Sequence, residues 1–111
     1  AAIVSPALSK ENCKVIADVM GVEVLQKKIA GSHLSGVSVK ANNTGAVIHP
    51  EAEEKDMEII ADVLGVKVEQ SSINGGVPYV SSGILANNHC IVVGSLTNGP
   101  EIMNLTKAFL N

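Results

Sequence analysis

Arginine and tryptophan are both missing from this 111-residue chain, which has one tyrosine, one phenylalanine and two cysteines. With so few rings, the core must be aliphatic, built from the Val, Ile, Leu, Ala and Met that dominate a hydrophobic content of 46%. Without arginine the chain lacks the planar fork that grips phosphates and guanine edges bidentately, which argues against sequence-specific reading of nucleic acid. All eight basic residues are lysine, and the formal net charge is −3. No apolar run approaches the ~18–20 residues that cross a bilayer, and no charged segment precedes an apolar stretch in the manner of a secretory signal. Cys13 and Cys90 lie far apart without a CxxC pair, so both are expected to be buried or half-buried thiols in a reducing compartment. The chain opens at Ala1 directly into strand-like residues, which reads as a processed or truncated end. Asn42-Asn43-Thr44 and Asn104-Leu105-Thr106 match the glycosylation sequon and read as chance matches.

What the sequence does have is an internal repeat. Residues 1–31 set against 45–75, a shift of 44, are identical at 12 of 31 positions. The densest stretch aligns Ile16-Ala17-Asp18-Val19-Met20-Gly21-Val22 with Ile60-Ala61-Asp62-Val63-Leu64-Gly65-Val66, and Gln26/Gln70, Ile29/Ile73 and Gly31/Gly75 extend it. Ala41-Asn42-Asn43 recurs as Ala86-Asn87-Asn88, 45 residues on. A third copy starts near Cys90 and stops after its helix, with Leu105, Ala108 and Phe109 where Ile60, Val63 and Leu64 stand. Self-similarity at this period marks a tandem-unit architecture, here with units 1–44, 45–89 and an incomplete 90–111.

Each unit opens with a short apolar strand (Ala2–Val4, Ala46–Ile48, Ile91–Val93), and the first two stop at Ser5-Pro6 and His49-Pro50. Helices are expected at about 9–20, 52–64 and 100–110, with Val15, Ile16, Val19 and Met20 on one face and Ile59, Ile60, Val63 and Leu64 on the matching one. Ser9 suits the first N-cap, Pro100 the start of the third helix, and Gly21 and Gly65 left-handed C-caps. Strands follow at 22–25 and 66–69, then at about 36–40 and 83–86. Asn42-Asn43-Thr44-Gly45 reads as a hairpin turn because Asn and Gly tolerate positive φ, and Asn74-Gly75-Gly76 reads as another. The order strand, helix, strand, strand makes an α/β (α+β) unit with one helix over each small sheet.

The acidic residues Glu51, Glu53, Glu54, Asp56, Glu58 and Asp62 read as the solvated face of a helix. His33, His49 and His89 read as surface or turn residues, so no metal and no cofactor is expected.

The runs Gly45-Ala46-Val47-Ile48-His49-Pro50, Ile60-Ala61-Asp62-Val63-Leu64-Gly65-Val66 and Gly99-Pro100-Glu101 resemble those of the archaeal and eukaryotic translation initiation factor 6 family, specifically its C-terminal half. The resemblance implies a pentein-type βα propeller of five units, of which this chain would supply about two and a half. Such an arc exposes strand edges, so either a missing N-terminal half or a second copy would close the ring. The implied function is binding to the large ribosomal subunit at its intersubunit face. That would block small-subunit joining and support subunit biogenesis, by steric occupancy rather than catalysis, in the cytoplasm or, in a eukaryote, also the nucleus and nucleolus. The implied partner is a ribosomal protein near that face with adjacent rRNA; a membrane or DNA is not expected. Carried over by position, the implied contacts are His33, Leu34, Ser35, Gly36, Val37 and Ser38, with Val80, Ser81, Ser82, Gly83 and Ile84 in the next unit. Two alternatives stand beside this: a half-length propeller that self-assembles without binding ribosomes, and an amidine-modifying enzyme of the pentein fold using Cys90. Against the enzyme, His89 and Cys90 as strand neighbours would point to opposite faces.

Overall fold

The computed structural model describes residues 1–110; Asn111, the last residue of the third unit, lies outside the described residues. The chain runs β1 (Ala2–Val4), α1 (Lys10–Met20), β2 (Val24–Gln26), α2 (Ser35–Ser38), β3 (Val39–Ala41), β4 (Gly45–Ile48), α3 (Glu54–Leu64) and β5 (Lys67–Gln70). A 3-10 turn (Val80–Gly83), β6 (Ile84–Ala86), β7 (Ile91–Val93) and α4 (Gly99–Phe109) complete it. The strands form three separate small sheets, β1-β2, β3-β4-β5 and β6-β7. In the middle sheet β4 pairs antiparallel with β3 and parallel with β5, Ala46 facing both Ala41 and Val68. The first sheet has only the parallel pair, and the third only the antiparallel one. The molecule is mixed α/β, an open array of 42 × 28 × 23 Å.

The repeated residues make repeated structure. Ser9 caps α1 by accepting the Asn12 N–H at 3.1 Å, and Gly21 and Gly65 end α1 and α3 in the left-handed region, φ 66° and 69°. Gln26 donates to the Leu8 carbonyl at 2.8 Å, and Gln70 to the Ala52 carbonyl at 2.7 Å. Each glutamine thereby ties a strand end to the loop that enters its helix, satisfying loop carbonyls that would otherwise lack partners. Ile29–Ser32 and Ile73–Val77 form matching hairpins, with positive φ at Ala30 and Gly31 in one and at Asn74, Gly75 and Gly76 in the other. The Asn42 turn is built differently from expectation. Residues 42–45 have no positive φ; the Asn42 side chain closes the turn by accepting the N–H groups of Thr44 (2.8 Å) and Gly45 (3.0 Å).

Two aliphatic clusters hold the array together. One gathers Ile29, Ile48, Ala52 and Ile60, with Ile3, Met57 and Leu64 against them. The other gathers Val47, Ile73, Val80 and Ile84 under Leu105, Ala108 and Phe109 of α4. Burying Phe109 alone contributes about 2–3 kcal/mol. The helix faces expected from periodicity are real in α3 and α4. In α1 the same face is bare: Val15, Val19 and Met20 are 58%, 80% and 61% exposed.

Several expectations are corrected. The strands placed at about 36–40 and 83–86 begin only at Val39 and Ile84, each preceded by a single helical turn. Of the two thiols expected to be buried or half-buried, Cys13 is half-buried, but Cys90 is exposed. Cys90 sits at the end of a turn rather than in a covered strand, and its N–H and that of His89 both go to the Asn87 carboxamide oxygen, at 2.9 and 2.7 Å. His49 is buried, its Nδ1 accepting the Glu51 N–H at 3.0 Å. Asp56 leaves the acidic face to pair with Lys27 at 2.8 Å.

Candidate functional site: two adjacent helical turns

The two segments singled out by position come together. Helix α2 and the 3-10 turn are spatial neighbours although 45 residues apart in sequence. Beside them the Asn42 and Asn87 turns stack: Asn42 Nδ2 donates to the Asn87 carbonyl at 3.0 Å, and the Asn43 N–H to Asn88 Oδ1 at 2.9 Å. Consecutive units thus present the same element side by side.

Within each segment the residues divide by burial. Ser35, Ser38, Val80 and Ile84 face inward. The Ser35 hydroxyl bonds the Lys27 carbonyl, and Ser38 Oγ donates to the Leu34 carbonyl at 3.4 Å. Buried hydroxyls must find acceptors, and the Ser35 bond anchors α2 to the segment leaving β2. That segment is fixed in turn to α3 by the half-buried Lys27–Asp56 pair. Val80 and Ile84 root the 3-10 turn in the cluster under α4. His33, Leu34, Gly36, Val37 and Ser82 are exposed, and Ser81 and Gly83 half-buried. At Gly83 an added Cβ would run into the Ile73 side chain, so glycine there lets the 3-10 turn lie on the Ile73 hairpin. Gly36 has open space around it.

One residue escaped the sequence reading. Tyr79, immediately before the 3-10 turn, is 46% exposed and meets buried His49 edge-on, ring centroids 5.9 Å apart. His49 is itself bound to α2, its N–H donating to the Ser38 carbonyl at 2.8 Å. Tyr79 is the chain's single tyrosine, and an exposed aromatic ring held by a buried neighbour is typical of contact anchors. That scarcity was the available signal. With Leu34 and Val37 it gives the paired turns an apolar, uncharged surface.

The hairpin under the 3-10 turn is locked from the other side. Glu101 of α4, 5% exposed, accepts from the Ser72 hydroxyl (2.5 Å) and from the N–H groups of Gly75 (2.8 Å), Gly76 (3.0 Å) and Asn98 (3.0 Å). Burial pushes its carboxyl pKa up, but the hydrogen bonds from Ser72, Asn98, Gly75 and Gly76 outweigh burial and hold it below the ordinary glutamate value. Among the described residues no cluster of three or more His, Cys, Asp or Glu is placed to hold a metal ion. No described helix is long and apolar enough to cross a membrane.

A model of the eIF-6 family matches residues 1–108. The chain is 69% identical over 110 residues to "Translation initiation factor 6" of Nitrosopumilus maritimus, a match covering 99% of this chain and 50% of that protein. It is 55% identical to the protein of the same name from Cenarchaeum symbiosum (96% and 48% covered) and 42% identical to that of Pyrococcus abyssi (97% and 48%). The chain spans about half the length of these relatives.

Proposed function

Because the chain belongs to the eIF-6 family, we propose that it acts in translation as part of a factor that docks on the large ribosomal subunit at its intersubunit face. It keeps the small subunit away by occupying space and supports large-subunit biogenesis. The observation carrying this reading is the pair of adjacent turns exposing Leu34, Val37 and Tyr79. They are uncharged, rooted in buried Ser35, Ser38, Val80 and Ile84, and therefore rigid enough to lose little entropy on contact. The pairing of equivalent turns from consecutive units also supports a pentein-type βα propeller for the whole protein. Its elements would repeat around one axis, this chain supplying about two and a half of five units. Steric occupancy asks for shape complementarity and no reacting group. A cytoplasmic setting goes with that role.

An uncharged patch on an acidic chain without arginine meets a ribosomal protein more readily than bare rRNA. Co-sedimentation of the 111-residue chain with purified large subunits tests the reading. The chain is expected to pellet with the subunits, and Tyr79→Ala and Leu34→Asp to weaken binding by about 1–2 kcal/mol each, roughly tenfold, without loss of folded structure. Raising salt from about 50 to 200 mM is expected to cost far less than the roughly 10³-fold or more that multiple phosphate contacts would forfeit. A wild-type chain left in the supernatant at low and high salt overturns the proposal.

A further inference from the structure

The sequence contains two Asn-Gly pairs, Asn74-Gly75 and Asn98-Gly99, and both converge on Glu101. In such a pair the asparagine carboxamide can reach the next main-chain nitrogen, because glycine leaves that nitrogen unhindered and its backbone free to turn. Glu101 holds both pairs. One carboxylate oxygen accepts the Gly75 N–H at 2.8 Å and the other the Gly76 N–H at 3.0 Å. The Asn98 N–H also donates to the carboxylate at 3.0 Å, while Asn98 Oδ1 is occupied as a helix cap by the Glu101 N–H, 3.0 Å away. The Asn74 carboxamide lies in a slot between two glycines: a Cβ on Gly94 would overlap it, and one on Gly83 would come within 3.1 Å of Nδ2. Thr97 closes the slot, accepting the Asn74 N–H at 3.2 Å with its hydroxyl 3.5 Å from Asn74 Oδ1. The preceding unit shows that this hairpin does not need asparagine. Ala30-Gly31 stands in the same place with φ 52° and 76°, against 49° and 79° for Asn74-Gly75. There Asp56, the counterpart of Glu101 in the repeat, pairs with Lys27 instead.

We propose that Asn74 is a site of self-modification, converting to aspartate and isoaspartate when the Glu101 clasp opens, and that the converted hairpin no longer closes on Glu101. The Gly75 nitrogen, having given up its proton, attacks Asn74 Cγ. The N–Cγ bond forms, the Cγ–Nδ2 bond breaks, and ammonia leaves with that proton, so a five-membered imide remains. Water then opens the ring. Cleavage of the bond to Cγ gives aspartate; cleavage of the bond to the main-chain carbonyl carbon gives isoaspartate. In the closed clasp both requirements fail. The Gly75 N–H donates to a carboxylate, whose charge opposes loss of the proton, and the carboxamide is wedged between Gly83 and Gly94. Opening is local, since it asks only that the hairpin part from the start of α4. The change runs one way. Either product places a carboxylate on the residue next to Gly75, where it repels Glu101. Isoaspartate also adds a methylene to the main chain, so the Gly75 and Gly76 N–H groups lose the spacing that matches the two carboxylate oxygens.

Timed incubation of the 111-residue chain at mildly alkaline pH tests this. Peptide mass mapping reads the exchange of NH2 for OH, and enzymatic methylation of isoaspartyl carboxylates reads the isomer. The chain unfolded in guanidinium is expected to convert at both Asn-Gly pairs. The folded chain is expected to convert at Asn74 at least about tenfold more slowly, the change that about 1.4 kcal/mol makes to a rate. Glu101→Gln keeps the side-chain shape but turns an NH2 toward one of the donors, and is expected to restore at least about tenfold of the Asn74 rate while circular dichroism still shows a folded chain. Lys27→Ala breaks the equivalent join in the preceding unit and is expected to leave the Asn74 rate unchanged, which separates release of the clasp from general destabilisation. Asn74→Asp, the product in place from the start, is expected to speed hydrogen exchange at the Gly75 and Gly76 amides. Equal Asn74 rates in the folded and unfolded chain, a Glu101→Gln rate like wild type, or a Lys27→Ala rate raised as much as that of Glu101→Gln overturns the proposal, and unchanged exchange in Asn74→Asp overturns its one-way character. None of these measurements involves ribosomes, so failure here and failure of ribosome docking are read separately.

Discussion

Replacing Glu101 with alanine is expected to destabilise the fold by about 2–3 kcal/mol, since hydrogen bonds to a charged group contribute about 1.5–3 kcal/mol each and most of these donors can turn to water. The carboxylate is the acceptor for four donors drawn from three places: Ser72 after β5, Gly75 and Gly76 in the Ile73 hairpin, and Asn98 at the start of α4. Removing it orphans all four; the half-buried Ser72 hydroxyl is the donor with least access to water, and an unpaired buried donor costs about 1–3 kcal/mol. Solvent at exposed Gly75, Gly76 and Asn98 replaces most of the other three bonds. Asn98 loses half of its capping box but still accepts the residue-101 N–H, so α4 survives as a helix. The loss falls on the join between α4 and the hairpin that carries the 3-10 turn. Urea unfolding measures it as a lower midpoint at unchanged slope.

The same carboxylate gives the protein an acid limb. Its folded pKa lies below the ordinary value of 4.5, so the folded state binds the proton less readily than the unfolded chain. The stabilisation is therefore complete above about pH 4.5 and is lost as pH falls toward and through the folded value. Glu101→Gln removes the titration, and its stability is expected to vary less than wild type below that pH. Equal acid slopes in the two proteins would place the titrating group elsewhere.

How legible this was depended on whether a feature is local or needs its neighbours. The shift of 44 announces helices, caps and hairpins because each rests on residues close in sequence: Ser9 on the Asn12 N–H, Gly21 and Gly65 on a left-handed φ. Mixed α/β character follows from the same signals. The turns 35–38 and 80–83 look like strand in the sequence because Ser-Gly-Val-Ser and Val-Ser-Ser-Gly are too short to show a helical period, and valine favours strands. Their helical turns are imposed by tertiary bonds, such as Ser35 reaching the Lys27 carbonyl. Asn98-x-x-Glu101 has the spacing of a capping box, yet nothing local says that its glutamate also enters a hairpin 25 residues away. At the candidate site, position in the repeat finds both turns but cannot say which side chains face out. That is decided by Val80 and Ile84 sinking into the cluster beneath α4. The bare face of α1 is invisible for a related reason: periodicity shows that a face is apolar, not whether anything covers it.

Two glycines in the chain are expected to answer the same substitution with opposite signs. Gly45 lies buried in β4, where a Cβ would fall inside the contact distance of the Ala108 carbonyl oxygen and 2.9 Å from its carbonyl carbon. The obstacle is helix backbone, which cannot rotate aside. Gly45→Ala must either lift the end of α4 from the sheet or push β4 out of register with Lys67 on β5. The first response uncovers Val47 and Phe109; the second strains the middle sheet. Overpacking of this kind costs about 1–3 kcal/mol, and valine at the same place costs more because its two further methyl groups have nowhere to go. Gly36, in exposed α2, has no heavy atom within 4 Å of the place an alanine methyl would take, and no positive φ. Alanine there removes freedom from the unfolded chain without touching the folded one, and a gain of about 0.4–1 kcal/mol is expected. Paired urea titrations read both changes against wild type. A neutral Gly45→Ala would mean that α4 does not approach β4 as closely as the Ala108 carbonyl lies to Gly45 here.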